Sequence, residues 1–206
     1  MLDNEGILLL QKLLQYNQSP ISDQSPYRGH QFTEKPVKIM EFIGSKIKEF
    51  RLEAQLESYL LNNRGKLMQL SGFSSEASNN FRVSVLNQVS TYVAGGGIDI
   101  VCMYEKKVID LWLLLNTSVI ELKKSVLVPD NVDQLIEYIE WAERIIPGSH
   151  RKMIKGILVG RDFARQTDKR DRIIEAVEGV STQYQIECYQ YVVSESEDSI
   201  EFQKIV

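Results

Sequence analysis

The chain has little cysteine and proline, no long apolar run and no excess of positive charge. Its two cysteines, Cys102 and Cys188, stand in separate strand-like runs without metal-ligand spacing, so they read as buried reduced thiols in a reducing cytoplasm. The apolar runs ILLL at 7–10 and LWLLL at 111–115 fall far short of the roughly 20 residues a membrane span needs. The N-terminus is acidic at Asp3 and Glu5, where a signal peptide would carry a basic region. No membrane association is expected. A net charge of −4 excludes a protein that coats nucleic acid by bulk electrostatics, but it leaves room for an enzyme whose clustered carboxylates offset basic patches elsewhere.

What is present is the composition of an ordinary globular chain: 206 residues, 43% hydrophobic and 25% charged, enough to bury one sizeable core. The expected organisation is an N-terminal helix and linker over 1–45, then one domain over 46–206. GILLLQKLLQY at 6–16 reads as a short helix. The following twenty residues are polar, carry three prolines and have no period, as a linker would. From about Val37 to Asn62 the pattern is helical, broken near Gly44 and closed by the turn-like Asn62-Asn63-Arg64-Gly65.

Val-, Ile-, Tyr- and Trp-rich runs follow at short intervals. FRVSVLNQVSTYV, IDIVCMY, VIDLWLLL and VIELKK read as an antiparallel meander, with Glu105-Lys106-Lys107 joining two of the runs and the triple glycine Gly95-Gly96-Gly97 as a tight turn. That turn lacks the order of a phosphate-binding loop. Asp130 is the expected N-cap of a helix reaching about Ile146, with Val132, Leu135, Ile136, Ile139 and Ala142 as its buried stripe. Gln134, Tyr138 and Trp141 lie on a neighbouring stripe, suited either to flank a site or to border the core. A buried strand (MIKGILVG), a basic amphipathic helix, a strand (YQIECYQYVV) and an acidic tail with one possible edge strand complete an α/β sandwich around a mixed sheet.

Chemistry concentrates between Gly95 and Lys124. Residues two apart on a strand share a face, so Glu121 and Lys123 present a carboxylate and an ammonium side by side. With Asp99, two carboxylates could hold a hard divalent cation while the lysine positions water beside it. Glu53 and Glu57, four apart on the preceding helix, share one face and matter only if that face meets the Asp99 strand. The basic groups Lys46, Lys48 and Arg51; His150, Arg151, Lys152 and Lys155; and Arg161, Arg165, Lys169, Arg170 and Arg172 are solvated faces or phosphate contacts.

The order of an acid-bearing helix, Asp99, Glu121-x-Lys123 and Gln134-x-x-x-Tyr138 resembles the PD-(D/E)XK nuclease superfamily, in its RecB-like QxxxY form. More closely, RLEAQLESYL, GGGIDI, VIELKK, DNVDQLIEYIEWAERI and IKGILVGRDF are similar, in that order, to the catalytic domain of NucS/EndoMS-type endonucleases, over roughly residues 50–193. The resemblance implies a restriction-endonuclease-like α/β sandwich, a central mixed sheet of four to six strands flanked by helices. It also implies Mg²⁺-dependent cleavage of DNA, with Mn²⁺ able to substitute, in repair, restriction or phage defence. Asp99 and Glu121 would be metal ligands with the carbonyl of Leu122 as a third oxygen. Lys123 would orient or activate water, and Gln134 with Tyr138 would arrange water or phosphate. Glu57, with Glu53 as the alternative, would hold the metal or its water.

The chain departs from the family in two respects. IDLWLLLNTS lengthens the interval before Glu121 and makes Asp110 a rival of Asp99, which the GGGID match favours. Residues 1–45 are too short for the family's DNA-binding and dimerisation domain, so mismatch recognition is not expected, although this segment could recruit a protein partner or a second copy. The competing readings are an RNA-directed nuclease, a catalytically inactive nucleic-acid-binding or scaffold module of the same fold, and a purely structural Glu121–Lys123 ion pair.

Overall fold

Six strands form one open mixed sheet in the order β1 to β6, with helices against it. The computed structural model describes residues 53–73, 80–91, 96–163, 166–193 and 200–206. The helix at 6–16, the linker, the break near Gly44, the boundary at 45/46 and the basic residues Lys46, Lys48, Arg51 and Arg165 lie outside them. The described elements are α1 (Glu53–Asn62), α2 (Arg64–Ser71), β1 (Phe81–Ser90), β2 (Gly97–Val108), β3 (Leu111–Leu122), α3 (Pro129–Ile145), β4 (Ile154–Arg161), α4 (Thr167–Val180), β5 (Gln185–Val193) and β6 (Ile200–Lys204).

The β1–β2, β2–β3 and β5–β6 pairs are antiparallel, whereas β3–β4 and β4–β5 are parallel and connected through α3 and α4. Parallel strands covered on both faces need near-continuous apolar sequence, and ILVG of β4 is buried throughout. One core layer joins Val119, Ile154 and Leu158 of the sheet to Leu135, Ile139 and Ala142 of α3 and to Ile173 and Val177 of α4. Gly156 permits this contact, because a Cβ there would lie 2.7 Å from both Leu135 Cδ2 and Ile139 Cδ1. Side chains alternate across a strand, so Ile120, Leu122 and Ile157 face the other way, toward the side of Leu56, Leu60, Leu67 and Leu70.

Several boundaries differ from those expected. Glu105-Lys106-Lys107 is not a joint. β2 continues through it to Val108, and the turn falls at Ile109-Asp110, because antiparallel pairing lets exposed charged residues occupy the solvent-facing part of a ladder. Asn116-Thr117-Ser118 likewise lies inside β3, which makes one strand of two expected ones. The turn at 62–65 shrinks to Asn63, since α2 starts at Arg64 and buries Leu67 and Leu70. α3 begins at Pro129, so Asp130 is in its first turn, and the terminus is closed by Asn131 Oδ1 accepting from the Val128 N–H at 2.9 Å. Trp141 joins the core, while Ile136 is only partly buried.

Candidate active site

Ile100 of β2 lies opposite Ile120 of β3, so the start of one strand meets the end of the other. One step further along that register, Asp99 comes beside the Glu121–Lys123 segment. Asp99 Oδ2 accepts from the Leu122 backbone N–H at 2.7 Å, which ties the two strand ends together. Lys123 Nζ donates to Glu121 Oε1 at 2.6 Å, and the Lys123 backbone N–H is anchored on the Val159 carbonyl of β4 at 2.8 Å. Glu121 Oε2 is buried and has no hydrogen-bond partner among the described residues.

Both expected first-helix acids reach this end of the sheet, in different ways. Glu57 is buried and held by two amides of β1: Asn87 Nδ2 donates to Oε1 at 3.1 Å and Gln88 Nε2 to Oε2 at 2.6 Å. Gln88 Nε2 also lies 3.4 Å from Asp99 Oδ1. Glu53 Oε1 accepts from the Lys124 backbone N–H at 3.4 Å. Behind the carboxylates, Gln134 Nε2 donates to the Tyr138 hydroxyl at 2.8 Å. Tyr138 is buried with its hydroxyl against the turn into β2: a Cβ at Gly96 would stand 2.6 Å from that oxygen, so one glycine of the expected turn is a close-approach position. Asp110 sits exposed at the far end of the hairpin, roughly 30 Å of strand from Asp99 at about 3.3 Å per residue.

Burial dominates the electrostatics. It raises Asp99 to about 6, opposed by the Leu122 hydrogen bond and assisted by the charge of Glu57. It raises Glu121 to about 7, assisted by Asp99 and opposed by Lys123. For Lys123, burial acts against the charged form, yet the bond and charge of Glu121 prevail and its pKa is raised. The two partners of the pair therefore tell different stories: the lysine is stabilised as a cation while the carboxylate still resists ionisation. One ammonium does not neutralise the buried Glu121 and the half-buried Asp99 together, which leaves the cluster short of positive charge.

Among the described residues no three His, Cys, Asp or Glu side chains are grouped closely enough to hold a metal ion by themselves. Mg²⁺ keeps much of its water and commonly takes one or two carboxylates, so a two-acid seat with a buried, unpartnered Glu121 oxygen fits such an ion. Leu122, expected to offer its carbonyl, contributes its N–H to Asp99.

The residue pair the sequence reading missed is Asn87-Gln88. Adjacent strand residues normally face opposite ways, yet both reach Glu57 because Gln88 is in the left-handed region at φ 50°. The pairing skips this residue, with Asn87 opposite Ile100 and Val89 opposite Ile98. For a residue with a Cβ that conformation costs on the order of 1–2 kcal/mol. The signal available was two consecutive polar residues inside an otherwise alternating run. The basic group at 150–155 is partly engaged within the fold, Arg151 by Glu143 at 2.8 Å and Lys155 by Glu187 at 3.2 Å. No family model matches the chain, and no curated protein matches it.

Proposed function

We propose that the chain is a divalent-metal-dependent endonuclease of PD-(D/E)XK type that hydrolyses phosphodiester bonds in DNA, built on a restriction-endonuclease-like sandwich. The observation that supports this most is the meeting of Asp99, Glu121 and Lys123 at one end of the sheet, with the Gln134–Tyr138 pair behind them. Asp99 and Glu121 would hold the cation, which when bound neutralises charge on the phosphodiester and favours a hydroxide nucleophile. Lys123 is held protonated by Glu121, so it acts as a donor: it orients water toward phosphorus or balances charge on a non-bridging oxygen, and is not itself the base. Gln134 keeps its carbonyl oxygen for water or substrate while its amide fixes Tyr138.

The test is nicking of supercoiled plasmid by the purified chain with Mg²⁺ or Mn²⁺ and with chelator, in parallel with single-stranded DNA, duplex DNA and RNA. Lys123→Ala is expected to lower the rate at least ~100-fold, the scale of a lost positioned proton or charge donor. Full activity in Lys123→Ala, or no cleavage by the unmodified chain, would overturn the reading. Cleavage confined to RNA would change the substrate, and retained DNA affinity without cleavage would favour a binding module.

A further inference from the structure

The Gln88 amide lies between Glu57 Oε2, at 2.6 Å, and Asp99 Oδ1, at 3.4 Å, so one NH₂ group faces both carboxylates. Asn87 Nδ2, at 3.1 Å, takes the other Glu57 oxygen. Gln88 has a backbone conformation that non-glycine residues seldom adopt, and the unbroken β1–β2 register, Asn87 opposite Ile100 and Val89 opposite Ile98, sets it across from Asp99. A buried carboxylate calls for a donor on each oxygen, and here both come from adjacent residues of one strand, one of which also reaches Asp99. We propose that Gln88 is a positioning residue that holds Glu57 off the cation seat, so that Asp99 and Glu121 ligate the ion while Glu57 orients water beside it. This rests on the endonuclease reading for its catalytic part.

The amide hydrogens and a cation compete for the same oxygens, Asp99 Oδ1 and Glu57 Oε2. With Gln88 removed, those oxygens are free and Glu57 becomes a third direct ligand. Binding then tightens, and the carboxylate that ordered water is lost to the ion. Affinity and turnover are expected to move in opposite directions, which a merely structural role would not produce.

The discriminating variant is Gln88→Gly, because glycine accommodates φ 50° while removing the amide. Relief of the left-handed backbone offsets the lost hydrogen bonds, so the melting temperature without metal is expected to stay within a few degrees of the unmodified chain. Calorimetric titration with Mn²⁺ should show at least ~5-fold tighter binding to Gln88→Gly, with the gain abolished in Gln88→Gly/Glu57→Gln. Cleavage should fall at least ~10-fold, and Gln88→Gly/Glu57→Gln should be no slower than Glu57→Gln alone, since the two residues act through one carboxylate. Unchanged or weaker Mn²⁺ binding by folded Gln88→Gly, or rate losses that multiply in the double variant, would overturn the proposal. An unmodified chain that cuts no nucleic acid while Gln88→Gly still binds Mn²⁺ more tightly would overturn only the endonuclease reading and uphold the positioning role.

Discussion

A buried and a half-buried carboxylate at one strand junction with a single ammonium are in an unfavourable state until a cation or a proton arrives. The consequence for stability follows from the raised values of Asp99, about 6, and Glu121, about 7, against roughly 4 for the same groups in an unfolded chain. Between about pH 4 and pH 7 the folded chain holds more protons than the unfolded one, so in metal-free buffer stability declines as pH rises through that window and levels off above it. Glu143 and Glu187 are held below their ordinary values and act in the opposite sense only at lower pH. Thermal melts without metal are therefore expected to give a higher Tm at pH 5 than at pH 8, with the difference reduced in Asp99→Asn/Glu121→Gln. Mn²⁺ affinity should rise over the same interval, because the ion displaces those protons. At this scale the sequence was informative about residue types and not about state. Glu121-x-Lys123 announces a shared face, whereas the failure of the lysine to neutralise its partner depends on burial and on Asp99, which arrives from another strand.

The β2–β3 hairpin is the element least like its expectation. On its β3 side it extends past the pairing with β4, which starts at Thr117, while β1 accompanies β2 as far as Lys106; Val108, Ile109, Leu111, Leu113 and Leu115 are exposed on the strands and at the turn. Arg82 supports its base, paired with Glu105 at 2.7 Å and lying 4.4 Å from the Trp112 ring centre. The Phe73–Tyr104–Phe81 stack, with ring centres 5.0 and 5.3 Å apart, adds to that support. Ile109 is 88% exposed and left-handed at φ 59°, a poor choice for a two-residue turn. Ile109→Gly is expected to stabilise the chain by about 1 kcal/mol, or a few degrees of Tm by calorimetry, without changing cation binding. The extra length before Glu121 was visible in the sequence, but its form was not. A charged Glu-Lys-Lys triplet is equally compatible with a turn or with the solvent-facing part of a ladder, and only pairing with β1 and β3 decides between them. The same limit applied to Trp141, whose helical position bordered two stripes until the tertiary core took it in.

For the molecule as a whole, the candidate seat joins α1, β1, β2 and β3, so a ligand there stabilises elements far apart in the chain. Mn²⁺ at about 100 times its dissociation constant should add about 2.7 kcal/mol, which corresponds to roughly 5–10 °C for a chain of this size. Differential scanning fluorimetry with Asp99→Asn/Glu121→Gln should show that shift abolished, and an equal shift in both proteins would place the ion elsewhere. The sequence by itself determined the α/β succession, the buried strand at 153–160, the helix after Pro129 and the set of chemically capable residues, because periodicity and composition act over short stretches. Tertiary structure alone decided that Asp99 and not Asp110 stands beside Glu121, since antiparallel register sends the two ends of one strand to opposite ends of the hairpin. It also decided that Asn87 and Gln88 meet Glu57, because these contacts join positions 30 and 31 residues apart, beyond the reach of any local pattern.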